Sequence, residues 1–106
     1  MSKYLIRGSY TVEGLKGVCK EGGSKRVKAV KQLVEGLGGK LEALYFAIGD
    51  DDFFIITDMP DNVAAIAGTL IGNASGATKS KTVVLLTPEE VDKAIKMKAD
   101  YRLPGQ

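Results

Sequence analysis

At 106 residues, with 44% hydrophobic and 26% charged side chains, the chain has the size and composition of one soluble globular domain. Its net charge of +2 is too small to indicate a polyanionic partner, so nucleic-acid binding is not expected. Histidine is absent and Cys19 is the single cysteine, which excludes an intramolecular disulfide, a haem held by a proximal histidine and a Cys/His zinc site.

The sequence contains no apolar segment typical of membrane targeting or membrane anchoring. The first ten residues lack the apolar core of a secretory signal, and no run approaches the ~20 apolar residues of a membrane span. We therefore predict a cytoplasmic protein with no membrane attachment, no metal and no other cofactor. Cys19 is expected to be a small buried residue of the first helix.

The first predicted elements are a strand over residues 3–11 and a helical region in two segments. Alternation of side-chain character indicates the strand. Gly22 and Gly23 interrupt the helical region, and Ser24 is expected to cap its second segment. Gly38 and Gly39 are expected to end it. The second segment carries one apolar stripe, made of Val27, Val30, Val34 and Leu37.

Residues 41–58, LEALYFAIGDDDFFIITD, predict a β-hairpin whose strands are apolar on both faces. Gly49 is expected to adopt a positive φ in the turn, and Asp52 to bond the turn backbone. Three consecutive carboxylates could ligate a hard cation, but without EF-hand spacing we predict an exposed turn at residues 50–52. A small domain has helices for only one face of its sheet, so a second copy of the chain is expected to cover the other face.

A second helix, a fourth strand and a last helix complete the pattern. Pro60 suits the first position of the second helix. Residues 81–86 are rich in strand-forming side chains, and Thr87 with Glu90 forms a capping box that begins the last helix. The apolar residues of the second helix recur at helical spacing, namely Val63, Ile66, Ala67, Leu70 and Ile71.

The second helix has no charged residue, and its outer side is expected to carry only Thr69, Asn73 and small residues. Such a surface predicts partial cover by the terminal helix or by another subunit. The small side chains of this helix also leave room for a cavity between helix and sheet; they are Ala64, Ala65, Ala67 and Gly68.

The element order predicts an α+β fold, a ferredoxin-like β-α-β-β-α-β antiparallel sheet with helices on one face and a C-terminal helix. Residues 1–98 form the predicted domain and residues 99–106 an irregular tail. We expect the first and third strands to run parallel at the centre of the sheet. One rim would then collect Tyr10, Lys40, Glu42, Asp58, Lys79 and Lys81, with Arg7 further in.

This rim is either a set of solvated charges or the polar end of an oriented small-molecule site. Arg7 lies in mid-strand, so it must pair with a carboxylate, for which Glu42 is the candidate, or anchor an anionic ligand. The predicted ligand-binding residues are Arg7, Tyr10 and Lys81 at the polar end of the ligand, and Tyr45 or the small-residue face of the second helix along its body.

Three segments of the chain together resemble the GYD-domain proteins, small bacterial proteins of the dimeric α+β-barrel superfamily. The segments are KYLIRGSYTVEGLKGVCKEGGSKR, LVEGLGGKLEALYFAIGDDDFFIITDMPDN and LLTPEEVDKAIK. In the turn motif that names the family, Gly49 and Asp52 match, whereas Asp51 stands where tyrosine is expected. The resemblance implies the ferredoxin-like fold and a homodimer formed through the sheet face. It implies no settled reaction.

Three functions remain open. We favour non-catalytic binding of a small apolar or aromatic molecule. The alternatives are a pure protein-interaction module and a cofactor-free monooxygenase or isomerase acting on a small aromatic or lactone substrate. In such an enzyme Tyr10 or Tyr45 would orient the substrate and Arg7 would stabilise negative charge. The absence of histidine disfavours the enzyme, because Asp, Lys or Tyr would have to do its acid-base chemistry.

Overall fold

The computed structural model describes residues 1–106 and contains one antiparallel sheet with helices against one face. The strand order is β2-β3-β1-β4, and the predicted α+β fold is confirmed. In chain order the elements are β1 (Ser2–Tyr10), α1 (Val12–Glu21), α2 (Gly23–Gly36), β2 (Lys40–Phe46), β3 (Phe53–Met59), α3 (Asn62–Ala74), β4 (Thr78–Leu85) and α4 (Pro88–Lys96). None of the four helices has both the length and the apolar character that a bilayer crossing requires.

The two central strands, β1 and β3, are antiparallel, so the prediction that they run parallel is wrong. The hairpin makes β3 antiparallel to β2, and the helical crossover returns β2 in the direction of β1. The predicted rim therefore divides between the two ends of the sheet. Asp58 pairs with Lys3 and Lys40 at one end, whereas Tyr10 pairs with Thr78 at the other.

Glycines set both ends of α2. Gly22, with a φ of 90°, separates it from α1, so Ser24 lies inside the helix and not at the predicted capping position. At the other end Gly38 has a φ of 84°, and the Gly39 N–H donates to the carbonyl of Val34 at 3.0 Å. This Schellman arrangement confirms the predicted helix end.

The hairpin turn is held by Asp52. The Ala47 N–H donates to the Asp52 carbonyl at 2.8 Å, and the Asp52 N–H donates to the carbonyl of Gly8 at 2.7 Å. Its side chain accepts from the backbone N–H of Tyr10 at 2.9 Å, so it binds the turn to β1 and does not cap the turn backbone as predicted. Gly49 lacks the predicted positive φ, because a connection of this length needs no left-handed residue.

Helix α3 packs on β3 and β4 through its small side chains: Ala65 is buried, Gly72 lies beside Thr78 of β4, and Gly68 faces Leu37. Its large apolar residues point outward: Val63 is 78% exposed and Leu70 60% exposed. The predicted orientation, with the large residues inward, is therefore wrong. Small residues let the helix backbone approach the sheet, and polar bonds to β4 described below fix its rotation.

Residues 86–106, which we call the C-terminal arm, extend away from the rest of the chain. Its helix begins as predicted, since the Glu90 N–H donates to Thr87 Oγ1 at 3.2 Å and the Thr87 N–H to Glu90 Oε1 at 3.0 Å. Every residue from 88 to 106 is exposed. The radius of gyration is 17.0 Å, against about 13 Å for a compact domain of this length. The terminal helix thus does not cover α3 of its own chain.

The buried core is small for the chain length. Only 7 of 106 residues are buried, and the central cluster joins Tyr4 and Met59 of the sheet to Val34 of α2 and Ala65 of α3. Cys19 is exposed, so the prediction that it is buried is wrong. A core of this size leaves much apolar surface to be covered by something else.

Gly8 is predicted to tolerate no side chain. A Cβ there would lie 2.2 Å from the carbonyl oxygen of Lys79 and 2.6 Å from Ser80 Cα, so β4 would have to move away. We expect Gly8→Ala to lower the free energy of unfolding by about 1–3 kcal/mol. Gly17→Ala is the control, because nothing lies within 4 Å of its added Cβ, and it should stabilise by about 0.5–1 kcal/mol. Urea unfolding measures the free energy of unfolding of both variants, and equal effects would contradict the close packing of Gly8 against β4.

Candidate ligand-binding site

An apolar cavity of about 90 Å³ lies between the sheet and helices α2 and α3. The sheet forms its floor, and the small residues of α3 leave the space that larger ones would fill. It is lined by 17 residues, of which 10 are hydrophobic. Those from the sheet include Ile6, Tyr10, Phe53, Ile55, Thr57 and Met59, and those from the helices include Arg26, Val30, Leu33, Val34, Ala65, Gly68, Thr69 and Gly72. Leu37, the C-cap of α2, also contributes.

One fully buried polar atom of the cavity lining has no hydrogen-bond partner. Thr57 is 1% exposed, and its Oγ1 is buried and unbonded. It lies on β3 between Tyr4 of β1 and Leu41 of β2. Leaving a buried hydroxyl unpaired costs about 1–3 kcal/mol, so a polar atom inside the cavity would be stabilised there.

Tyr10 lies at the opposite end of the cavity from Thr57. Its ring packs on Phe53 with centroids 5.1 Å apart and an interplanar angle of 55°. Burial raises the pKa of the Tyr10 phenol above its ordinary value; the Arg26 guanidinium lowers it, and the carboxylates of Asp52 and Glu21 raise it. The phenol therefore stays protonated at neutral pH and can donate a hydrogen bond.

Asn73 and Thr69 fix the side of α3 that faces the cavity, and sequence reasoning placed both on the outer side. Asn73 Oδ1 accepts from the Ser80 N–H and from the Thr78 hydroxyl, each at 3.0 Å, and its Nδ2 donates to the Ser80 carbonyl at 3.1 Å. The Thr69 hydroxyl bonds that of Thr82. The sequence contains one indication of this orientation. Two polar residues lie four positions apart in an uncharged helix, and the strand that they face is rich in Ser and Thr.

The four predicted ligand-binding residues do not share one site. Tyr45, Arg7 and Lys81 lie with Phe54 in one row across the open face of the sheet, the face without helices. Tyr10 lies on the helix-covered face, in the cavity. Side chains alternate across a strand, so the odd-numbered Arg7 and the even-numbered Tyr10 must point to opposite faces of β1.

Arg7 pairs with Asp51, with Nη2 2.7 Å from Oδ2, and the predicted pair with Glu42 is not formed. Glu42 instead accepts a hydrogen bond from Lys3 Nζ at 2.8 Å, and Asp58 accepts one from the same amine at 2.9 Å. These bonds, that of Glu42 first, raise the pKa of Lys3. Arg7 and Lys3 thus each have a carboxylate partner within the chain, and Arg7 does not require an anionic ligand.

The three aspartates of the hairpin turn have three different environments. Asp50 is exposed, Asp51 pairs with Arg7 and Asp52 accepts from the backbone of β1. No group of three or more Asp, Glu or Cys side chains has an arrangement that could hold a metal ion. The prediction of a plain exposed turn therefore fits Asp50 but not Asp51, and Asp52 has the predicted structural role with a different partner.

A comparison with known protein families identifies the family of this chain. The model of the GYD domain matches residues 4–95, from β1 into α4. The chain belongs to the GYD-domain family. No curated protein and no solved structure matches it. In this GYD-domain chain, Asp51 of the turn between β2 and β3 supplies the carboxylate that pairs with Arg7.

The raised pKa of Tyr10 predicts a loss of stability at alkaline pH. Above about pH 10 the unfolded chain releases the phenol proton before the folded chain does, so the free energy of unfolding falls as pH rises. Tyr10→Phe should make this fall less steep in urea titrations at a series of pH values. Tyr101→Phe, at an exposed tyrosine of the C-terminal arm, should retain the wild-type dependence. Identical curves for wild type and Tyr10→Phe would contradict the prediction.

Proposed function

We propose that this GYD-domain protein is a cytoplasmic, homodimeric binding protein that holds a small apolar or aromatic molecule without catalysis. The observation that supports it best is the apolar cavity with one buried, unpartnered hydroxyl, Thr57 Oγ1. A mostly apolar lining with a few polar groups suits a ligand that is mostly hydrocarbon and carries one hydroxyl or carbonyl.

The volume of the cavity limits the ligand. Typical sites for drug-sized molecules have about 300–1,000 Å³, and an apolar cavity of about 150 Å³ holds one benzene ring. At about 90 Å³ the cavity is smaller than this, so it accepts a single ring only if the flanking side chains move or part of the ring stays outside. We therefore expect a ligand of one ring or a short aliphatic chain, and not a fused polycyclic compound.

The open face of the sheet supports the homodimer. Its central row consists of Ala43, Ile56, Leu5 and Val83, one from each strand. The rows on either side contain the internally paired charges of Arg7 and Lys3. An apolar row flanked by these ion pairs can be buried against a second copy at low electrostatic cost, because the unpaired Lys40 and Lys81 lie on the edge strands β2 and β4, where their stems can extend to water.

Phenol and benzene form a matched pair of probes for the cavity. We expect phenol to bind the wild type more tightly than benzene does, because its hydroxyl can bond Thr57 Oγ1. Thr57→Val should remove this preference, a change of about tenfold in the dissociation constant, and should stabilise the free protein by about 1 kcal/mol. Titrations followed by methyl NMR at Ile6, Val30 and Ile55 measure both effects.

Ser9→Ala is the control for this experiment, since Ser9 lies on the open face of the sheet and outside the cavity lining. It should keep the preference for phenol. If neither probe shifts the cavity methyl resonances at millimolar concentration, the binding proposal is wrong and the chain is an interaction module.

Val83 and Val84 test the homodimer with the same substitution on the two faces of one strand. Val83 is 39% exposed on the open face, and Val84 is 54% exposed on the opposite face. We expect the wild type to sediment at twice the 11.3 kDa chain mass. Val83→Lys should give monomer, because it places an unpaired charge in the interface, whereas Val84→Lys should remain dimeric. A monomeric wild type would refute the homodimer.

A further inference from the structure

Two apolar surfaces of the chain lie opposite no partner in their own subunit. One is the outer face of α3, formed by Val63, Ile66 and Leu70. The other is the apolar side of the C-terminal arm, where Val91 and Ile95 are exposed on α4. Neither is explained by the cavity, which uses the opposite side of α3, or by the open sheet face, to which neither belongs.

We propose that the C-terminal arm of one copy docks across the outer face of α3 in a second copy, and that the two copies exchange arms. Both surfaces are present on each chain, so a two-fold axis would produce the contact twice. The proposal requires a second copy of the chain, but it does not depend on the ligand or on contact between the open sheet faces.

The connection between β4 and α4 favours a second copy over the same chain. It consists of Leu86 and Thr87 alone. Thr87 is extended, with φ −77° and ψ 158°, and both bonds of its capping box hold it there. The helix therefore continues outward from the sheet, and the molecule reaches 58 Å along its longest axis against 32 and 22 Å along the others. An arm that projects so far from its own α3 is positioned to reach a neighbouring subunit.

The two surfaces match in character and in length. The stretch 62–78 has no charged residue, so the outer face of α3 presents its exposed apolar residues to a docked helix without a charge among them. On α4 the apolar residues occupy one side and Glu89 and Lys93 the opposite side. At 1.5 Å per residue, the 9 residues of α4 are about 14 Å long and the 13 residues of α3 about 20 Å, so α4 fits along it.

Two double substitutions with no change in net charge test the contact. Val91→Gln with Ile95→Gln replaces the apolar side of α4, and Glu89→Gln with Lys93→Gln alters the opposite side. Both sets lie at exposed positions, so the fold of the chain should survive, which circular dichroism checks. Sedimentation equilibrium should show the dimer dissociation constant raised about 100-fold by the first pair and little changed by the second. Equal constants for the two pairs would overturn the proposal.

Cross-linking distinguishes exchange between chains from folding back within one chain. In a Cys19→Ser background, one chain carries Ile66→Cys on α3 and a differently tagged chain carries Ile95→Cys on the arm. A short bismaleimide should join the two chains, whereas Lys93→Cys in place of Ile95→Cys should give little product. When Ile66→Cys and Ile95→Cys are in the same chain, a product linked mainly within that chain would overturn the exchange.

The outcomes also separate this contact from the proposed sheet interface. If Val83→Lys gives monomer while the Val91/Ile95 pair leaves the dissociation constant unchanged, the sheet dimer stands and arm exchange is wrong. If the Val91/Ile95 pair weakens the dimer and the inter-chain cross-link forms while Val83→Lys remains dimeric, arm exchange stands and the sheet interface is wrong.

Discussion

The packing of α3 on the sheet through its small side chains determines most of what is distinctive in this structure. Ala65 and Gly72 bring the helix close to the strands, and the hydrogen bonds of Asn73 to β4 fix its rotation. Because these side chains fill little volume, a cavity remains beneath them. Because the large residues are turned outward, the same helix presents an apolar surface to its surroundings.

The ion pairs of the open face, like its apolar row, favour burial of this face against a second copy of the chain. Arg7 and Lys3 each have a carboxylate partner within 3 Å, supplied by the hairpin turn or by a neighbouring strand. Exposed ion pairs contribute little to the stability of a single subunit, typically about 0–1 kcal/mol. Their effect is greater in an assembly, because a paired charge can be desolvated at an interface at much lower cost than an unpaired one.

The elements could be predicted from the sequence because their determinants are local. The capping box at Thr87 and the glycines after α2 depend on a few neighbouring residues. The face of α3 could not be predicted, because a helix with no charge has apolar residues all round, and bonds from Asn73 to β4 decide its rotation. The predicted site failed for a different reason. Its rim rested on a wrong strand direction, and the pairing of Arg7 with Asp51 joins residues distant in sequence.

Side chains alternate along β3, so the proposed ligand site and the proposed sheet interface use different residues. Helix α3 contributes both to the ligand site and to a proposed contact between subunits. Thr57 faces the cavity, whereas its neighbour Ile56 faces the open side of the sheet, so ligand and sheet interface contact different side chains. Helix α3 alone has one side in the cavity and the other in the surface proposed for the partner's arm. If a ligand displaces α3 from the sheet, it must also alter that outer surface, and by linkage arm docking must alter ligand affinity by the same factor. Ligand binding and assembly would therefore be coupled through α3, whose rotation relative to the sheet is fixed by Asn73.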